Sequence, residues 1–449
     1  MLERAREASR DVLTAVDEAR RRRTGGIVLE LDLTEPLVDA APHDPVAAVL
    51  ARRRTSLRAV LDGLQRAARD PRVRALVVKV GGARSPLGLG RAQELRDALD
   101  GLRRRGRWCV AWAETFGELD RGSAAYLVAA GCDEIWLQPS GDLCLAGAAA
   151  QVPFLRDALD KAGVVPQITQ RHEYKSAANL FTERSFTPAH REATEGLVAS
   201  LTAQIVAGVA AGRGIDEATV RAVLDRAPLA AAEARDAGLV DRLGYRDEVY
   251  AAVRDRAGAD ASLLYVDGYA RAAARSRSRH RTRRHIALVH IHGTIHLGRS
   301  GRRPLGGATA GAASVCAALR AAAADRNVAA VVLRVDSRGG SYVASDAIWR
   351  EVAVTRAAGT PVVVSMGDVA ASGGYFVAAG ADAIVAEPAT VTGSIGVVAG
   401  KAVVAGLAGR LGIGHEEVAG AARDLMFSPL RPFSDDEWAR LDTWLDRIY

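Results

Sequence analysis

A serine followed by two glycines ends an apolar run in the second half of the chain. The stretch reads "PVVVSMGDVAASGGYF" and places Ser372 directly before Gly373 and Gly374. A buried strand that delivers a hydroxyl into a loop without side chains lets a substrate carbonyl approach that hydroxyl closely. The same letters also describe a tight turn in which only serine and glycine fit. Ser372 is therefore a candidate nucleophile, and it needs a base.

Histidine and lysine are the two kinds of base that the chain offers to this serine. Neutral histidine is the usual partner of a serine nucleophile and need not be close to it in sequence. No histidine has an evident aspartate partner in the sequence; the candidates are His290, His292, His296 and His415. Lysine can act when burial lowers its pKa, whereas arginine stays protonated. Nearly all basic residues are arginine, and the lysines are Lys79, Lys161, Lys175 and Lys401.

An internal repeat decides which elements position these residues. The run "VRALVVKVGGARSP" from Val73 matches "VAAVVLRVDSRGGS" from Val328. The run "AAYLVAAGCDEIWLQP" from Ala124 matches "GGYFVAAGADAIVAEP" from Gly373. In both copies continuous Val/Ile/Leu strands alternate with helical segments, which is typical of parallel sheets flanked by helices. The sequence therefore predicts an α/β fold with two tandem repeats and mostly parallel sheets.

The repeat also sets the predicted domain boundaries. We expect an N-terminal helix at 1–24, a first repeat at 25–257, an arginine-rich linker at 258–284 and a second repeat at 285–449. The first repeat continues well beyond "FTPAHREATEGLVASL", whereas the second stops within the matching helix. We therefore expect the second repeat to be truncated at its C-terminus.

The two repeats differ where chemistry is expected. Lys175 of the first repeat aligns with Ala422 of the second. The second repeat has Ser372 before two glycines, where the first has serine before two alanines. It also has Gly339 and Gly340, where the first has arginine and serine. Backbone N–H groups of such a glycine pair can form an oxyanion hole. Each repeat therefore holds half of one predicted site.

These motifs resemble the signal peptide peptidase A family in its long form with two tandem domains. "D-S-x-G-G" matches 336–340, "M-G-x-x-A-A-S-G-G-Y-Y/F-x-A" matches 366–378, and the run that contains "TGSIGV" lies within 389–397. "Y-K-S-A" and "F-T-P" match 174–177 and 186–188. The resemblance covers nearly the whole chain. It departs from the family at Arg338, which stands where the family has proline.

The resemblance implies a serine–lysine peptidase with the fold of Clp proteases and crotonases. By this resemblance Ser372 is the nucleophile, Lys175 the general base, and Ser394 the serine that hydrogen-bonds the lysine. Backbone N–H groups of Gly339, Gly340 and Gly373 are the expected oxyanion and substrate-binding groups. The implied reaction hydrolyses peptides, such as signal-peptide remnants, without a metal or cofactor. A homo-oligomeric ring or dome that limits access is also implied.

Two other function classes stay open at this point. A crotonase-like acyl-CoA enzyme shares the fold and the paired N–H groups, but it needs a carboxylate base and a CoA site. An inactive scaffold of the same fold is the other alternative, and the expected truncation is its main argument. Substitution of Ser372 or Lys175 would leave the turnover of an acyl-CoA enzyme largely intact, whereas a scaffold would be a folded assembly that no serine-directed probe labels.

Composition limits the partners and the compartment. The 449 residues carry a formal net charge of +7 that follows a general bias toward arginine. Four cysteines without metal-ligand spacing indicate free thiols in a reducing compartment; they are Cys109, Cys132, Cys144 and Cys316. The sequence predicts neither a signal peptide nor a membrane span, and hence a cytoplasmic protein. The arginine-rich stretch 271–285 is expected to be a solvated linker that does not bind nucleic acid but can contact anionic lipid.

Overall fold

The computed structural model describes residues 25–39, 55–82, 87–118, 120–258, 260–277, 284–303 and 307–449. The helix predicted at 1–24 lies outside the described residues. The arginine and serine of the first repeat, which align with Gly339 and Gly340 of the second, also lie outside the described residues.

The first half of the chain builds a six-stranded parallel sheet. Its order is β8-β4-β3-β2-β1-β9. The strands are β1 (Ile27–Asp32), β2 (Val73–Lys79), β3 (Trp108–Ala113), β4 (Glu134–Leu137), β8 (Arg242–Leu243) and β9 (Ser262–Tyr265). One face packs against α1 (Leu57–Ala67), α2 (Leu89–Arg103) and α3 (Ser123–Ala129), and the other against α9 (Arg246–Ala257). Both faces are buried, which explains why the strands are continuously apolar.

The second half repeats this plan with a smaller sheet. The order β10-β14-β15-β16 is parallel throughout, and β17 pairs with the end of β15. The strands are β10 (His285–His292), β14 (Val328–Ser337), β15 (Val362–Ala371), β16 (Ala383–Val385) and β17 (Val391–Gly393). Helices α11 (Ala312–Ala324), α12 (Tyr342–Ala357) and α13 (Gly373–Ala378) cover one face and enclose the second core.

Smaller elements connect the two halves. The antiparallel pair β6 (Val165–Arg171) and β18 (Val397–Val403) joins a strand of the first half to one of the second. The other short strands are β5 (Asp142–Leu143), β7 (Leu229–Ala230), β11 (Thr294–His296), β12 (Gly301–Arg303) and β13 (Gly307–Gly311). The other helices are α4 (Arg156–Ala162), α5 (Asn179–Thr182), α6 (Pro188–Arg213), α7 (Glu217–Arg226), α8 (Ala231–Asp236), α10 (Val266–Arg277), α14 (Ala405–Arg410) and α15 (Asp435–Ile448).

The prediction of an α/β fold with mostly parallel sheets is confirmed. Two elements fall inside the range predicted as a linker, 258–284. Strand β9 pairs with β1 in parallel, and helix α10 packs against α1. The described part of this range therefore extends the first sheet and its helical layer.

Helix α6 is a candidate membrane span by length and composition. It has 26 residues, and most of its apolar window is exposed. The sequence analysis predicted no span, because charged residues flank an apolar run slightly shorter than a bilayer needs.

Candidate active site

Ser372 lies at a strand–turn–helix junction in the second half. Strand β15 ends at Ala371, and α13 begins at Gly373. Among the described residues, Ser372 (φ 52°) and Ser394 (φ 46°) are the two non-glycine residues with positive φ. Such a conformation disfavours any L side chain and occurs mostly where the surrounding structure requires it. Both serines are residues that the sequence analysis singled out.

The glycines beside Ser372 leave room for the loop after β14. A Cβ added to Gly339 would lie 2.5 Å from the backbone nitrogen of Gly373 and 3.0 Å from Cβ of Ser372. A Cβ on Gly373 would lie 3.3 Å from the nitrogen of Gly340. A Cβ on Gly374 would lie 2.7 Å from the carbonyl oxygen of Ser337, the last residue of β14 before that loop. The two loops therefore touch backbone to backbone, which only glycine permits.

The N–H groups of the three predicted oxyanion glycines are not equivalent. The Gly339 N–H donates to Ser337 Oγ over 3.0 Å, and this hydroxyl in turn donates to the Gly293 carbonyl over 2.6 Å. Within the described part of the chain, the N–H groups of Gly340 and Gly373 have no protein acceptor. These two groups are thus available to a developing oxyanion, and Gly339 shapes the loop.

Lys175 is a buried lysine held by a serine of the other half. Its side chain is 5 % exposed, and burial lowers its pKa from the ordinary value. Its Nζ donates to the Ser394 carbonyl and to Ser394 Oγ, the latter over 3.2 Å. A lysine with a lowered pKa and only neutral acceptors loses its proton at a lower pH than an exposed lysine.

The β6–β18 pair places Lys175 beside the run 393–396, which also contacts Ser372. Arg171, at the end of β6, pairs with Val397 at the start of β18. A Cβ added to Gly396 would lie 3.1 Å from Cβ of Lys175. On the other side, the Ser372 N–H donates to the Gly393 carbonyl over 2.8 Å. The run 393–396, from the end of β17 to the residue before β18, therefore contacts both the candidate nucleophile and the candidate base.

The alternative histidine bases occupy different surroundings. His292 Nδ1 lies 3.4 Å from Asp336 Oδ2 and 3.7 Å from Asp39 Oδ2, and the neighbouring Asp336 carboxylate raises the pKa of His292. His296 Nε2 lies 3.1 Å from Thr309 Oγ1, and His415 is exposed. The sequence analysis missed the His292–Asp336 pair, because strands β10 and β14 become neighbours only in the sheet.

A polar cluster surrounds this histidine. Potential metal-ligand atoms of Asp39, His292 and Asp336 all lie within 4.8 Å of one another. However, the guanidinium of Arg91 contacts both carboxylates. Arg91 supplies the positive charge that a metal ion would otherwise supply. We therefore interpret the cluster as an ion-pair network.

Comparison with known proteins identifies the family. The model of peptidase family S49 matches residues 103–260 and 354–449. The chain belongs to peptidase family S49. The two matched segments include Lys175 in the first and both Ser372 and Ser394 in the second.

Relatives of this S49 chain include curated proteases. It is 30 % identical over 393 residues to the chloroplastic serine protease SPPA of Arabidopsis thaliana, covering 85 % of this chain and 56 % of that protein. It is 30 % identical over 360 residues to Protease 4 of Haemophilus influenzae, covering 77 % of this chain and 56 % of that protein. The S49 chain thus spans about half the length of these relatives.

Solved structures of similar topology are more distant. A ClpP1 mutant of Listeria monocytogenes matches 50 % of this S49 chain and 94 % of its own, with 11 % identity and a TM-score of 0.28. An enoyl-CoA hydratase/isomerase family protein of Silicibacter pomeroyi matches 52 % of this chain and 78 % of its own, with 18 % identity and a TM-score of 0.26.

The contact between the two glycine loops gives a first prediction. Gly339→Ala is expected to lower peptide hydrolysis by about 10²-fold, the typical cost of a lost oxyanion donor, because the new Cβ displaces Gly373. Gly359→Ala is the matched control, since Gly359 has φ 88° against 89° for Gly339 but has no atom within 4 Å of its added Cβ. Steady-state rates and thermal unfolding of both variants check this. Equal activity losses in the two variants would contradict it.

Proposed function

We propose that this S49 chain is a serine endopeptidase of the signal peptide peptidase A type, with Ser372 as nucleophile and Lys175 as general base. One observation carries the proposal: a buried lysine from one half donates to Ser394 of the other, next to the residue that accepts the Ser372 N–H. Each half contributes one member of a pair that has no function alone. A lysine without a chemical role would be expected on the solvated surface, whereas Lys175 is buried.

In the proposed reaction the neutral amine of Lys175 takes the Ser372 proton as Oγ attacks a peptide carbonyl. The N–H groups of Gly340 and Gly373 hold the oxyanion. The resulting lysinium then protonates the leaving amine, and an acyl-enzyme ester remains on Ser372. Water activated by the same lysine hydrolyses this ester and restores the hydroxyl. Ser394 orients Nζ through its hydroxyl and carbonyl oxygens.

The exposed side chains next to these groups favour apolar peptides as substrates. Tyr342 follows the oxyanion loop by two residues, and its ring centroid lies 6.1 Å from that of Phe376 on α13. Ile395 follows Ser394 and is 64 % exposed. Apolar side chains that stay exposed around a polar site are typical of a binding cleft. Signal-peptide remnants, whose centre is apolar, fit such a cleft.

Assembly and location are part of the same proposal; the assembly rests on the family resemblance, and the location rests on the cysteine usage that indicates a reducing compartment. A homo-oligomeric ring or dome would exclude folded proteins and keep Lys175 away from bulk water. We place the chain in the cytoplasm, and contact with an anionic membrane surface would involve the arginine-rich stretch 271–285. The substrates are peptides, and nucleic acid is not a partner.

Intact-mass measurement after treatment with a fluorophosphonate tests the proposed nucleophile. We expect a single adduct, mapped to Ser372 by peptide sequencing, and hydrolysis of an unstructured apolar peptide by the unlabelled chain. The adduct should block that hydrolysis. Peptide hydrolysis that continues after complete labelling, or a chain that neither reacts nor hydrolyses, would overturn the proposal.

A further inference from the structure

Arg91 reaches from the first half of the chain into the second, close to the candidate site. It lies in the first turn of α2, and its guanidinium contacts the carboxylates of Asp39 and Asp336. Its Nε lies 3.3 Å from Asp368 Oδ2, and its backbone N–H donates to Asp368 Oδ1 over 2.9 Å. One arginine therefore links three carboxylates, two of which belong to the second sheet.

The two carboxylates of the second sheet stand on the strands that lead to the site. Asp336 lies near the end of β14, three residues before Gly339. Asp368 lies on β15, four residues before Ser372. A further hydrogen bond ties the strands together, because Asp336 Oδ1 accepts the Val369 N–H over 3.2 Å. The spacing of the two strand ends fixes the distance between the oxyanion loop and the nucleophile.

The glycines at the start of α2 show how closely the halves approach here. A Cβ added to Gly88 would lie 2.2 Å from Cγ of Asp368, and one on Gly90 would lie 3.2 Å from the Gly367 carbonyl. The start of α2 therefore packs directly on β15, and Asp368 accepts from its first turn. No larger residue would leave space for this carboxylate.

The charges of this cluster depend on Arg91. Burial disfavours the charged arginine, but the three carboxylates outweigh it and raise the pKa of Arg91. Burial raises the pKa of Asp368, whereas burial of Asp336 is outweighed by His292 and Arg91, which lower its pKa. Without the arginine, three acids would face each other with only His292 between them. Uncompensated buried charges repel or become protonated, and their strands shift.

A second ion pair between the halves gives a comparison. Glu94, also on α2, accepts from both Nη atoms of Arg334, over 2.6 and 2.7 Å. Arg334 lies within β14, two residues before Asp336. This pair docks the same helix on the same sheet. Arg334 also donates to Ser365 Oγ and to the Met366 carbonyl on β15, contacts that Glu94→Gln leaves in place. A substitution of Glu94 therefore weakens the docking of α2 on the second sheet without removing the contacts of Arg91 at the ends of β14 and β15.

We propose that Arg91 is a positioning residue that sets the spacing between the oxyanion loop and Ser372 from the opposite half of the chain. The inference rests on the proposed function, because it assumes that Ser372 and the Gly340 N–H act on one carbonyl. Arg91 itself does not touch the substrate. Arg91 acts on the transition state more than on substrate binding, because the transition state needs the Ser372 hydroxyl and the Gly340 N–H at the same time.

Arg91→Gln, Arg91→Lys and Glu94→Gln in the full chain test this inference. We expect Arg91→Gln to lower kcat for an apolar peptide by about 10-fold to 10²-fold with KM unchanged. Labelling by the fluorophosphonate should slow by a similar factor, because that reaction also builds charge in the oxyanion hole. Arg91→Lys keeps the charge without the planar fork and should recover part of the rate. Glu94→Gln should lower the melting temperature at least as much as Arg91→Lys while kcat stays near that of the parent.

The outcomes separate the two proposals. A parent chain without an adduct on Ser372 overturns the proposed function and this inference with it. A labelled parent with a folded Arg91→Gln variant of unchanged kcat and labelling rate overturns only the role of Arg91. The same holds if Glu94→Gln loses as much kcat as Arg91→Lys at an equal loss of melting temperature, since docking alone would then explain the effect.

Discussion

Replacing Ser372 by alanine is expected to lower peptide hydrolysis by at least about 10³-fold and to abolish the fluorophosphonate adduct. The hydroxyl makes no capping hydrogen bond to α13. Alanine has the same backbone restrictions at φ 52° as serine. The variant should therefore unfold at nearly the temperature of the parent. Intact mass, steady-state rates and thermal unfolding measure these three quantities.

The first repeat offers a matched control at the corresponding serine. Ser123 begins α3 and is buried, and its Oγ donates to the Ala146 carbonyl over 2.5 Å and accepts the Ala146 N–H over 2.9 Å. Ser123→Ala should therefore cost about 1–3 kcal/mol of stability, the usual penalty of unsatisfied buried polar groups, and leave the rate unchanged. Ser372→Ala should thus lose activity and keep its stability, whereas Ser123→Ala should lose stability and keep its activity. An active Ser372→Ala variant would contradict the proposed nucleophile.

The architecture could be predicted because it depends on patterns that are local in sequence. The apolar runs of β1 to β4 are buried on both faces of the first sheet, so their composition identifies them as strands, and the repeat identifies the partly exposed β10 and β16 of the second half. The internal repeat then gives their order. The same comparison shows where the halves differ, which is how Lys175 and Ser372 were selected as complementary residues.

What joins the halves could not be predicted from the residues themselves, because it depends on contacts between distant segments; the family resemblance alone implied the contact of Lys175 with Ser394. Lys175 and Ser394 are 219 residues apart, and they meet through an antiparallel pair of short strands that has no pattern of its own. The three carboxylates around Arg91 come from separate strands and loops, and each one alone resembles an ordinary surface acid. The hydrogen bond that occupies the Gly339 N–H depends on a rotamer of Ser337.

Replacing Lys175 by methionine is the second change with a large expected effect. The apolar side chain has a similar length but cannot accept a proton, so we expect hydrolysis to fall by about 10²- to 10⁴-fold. The variant should fold at least as stably as the parent near neutral pH, because burial of the amine, which lowers its pKa, no longer opposes folding. Activity and stability should therefore separate, as measured by hydrolysis rates and thermal unfolding.

The pH dependence of the parent follows from the same lowered pKa. Only the neutral amine accepts the Ser372 proton, so the acylation rate should rise with pH through the pKa of Lys175 and then level off below the ordinary value of 10.5. In the same window the unfolded chain binds a proton that the folded chain does not. The free energy of unfolding should therefore increase with pH from the folded pKa up to 10.5. Both trends should be absent from Lys175→Met.

Lys401 provides the matched control, since it is a lysine on β18 whose pKa burial also lowers. Its Nζ donates to the Met426 carbonyl over 2.7 Å and lies 4.1 Å from the Phe433 ring centroid. Lys401→Met should lose this packing but keep the rate and its pH profile. If Lys401→Met abolished the rising limb and Lys175→Met preserved it, the general base would be assigned to the wrong lysine. If neither variant changed the limb, His292 would become the group to test, because it is the candidate base that lies beside a carboxylate, Asp336.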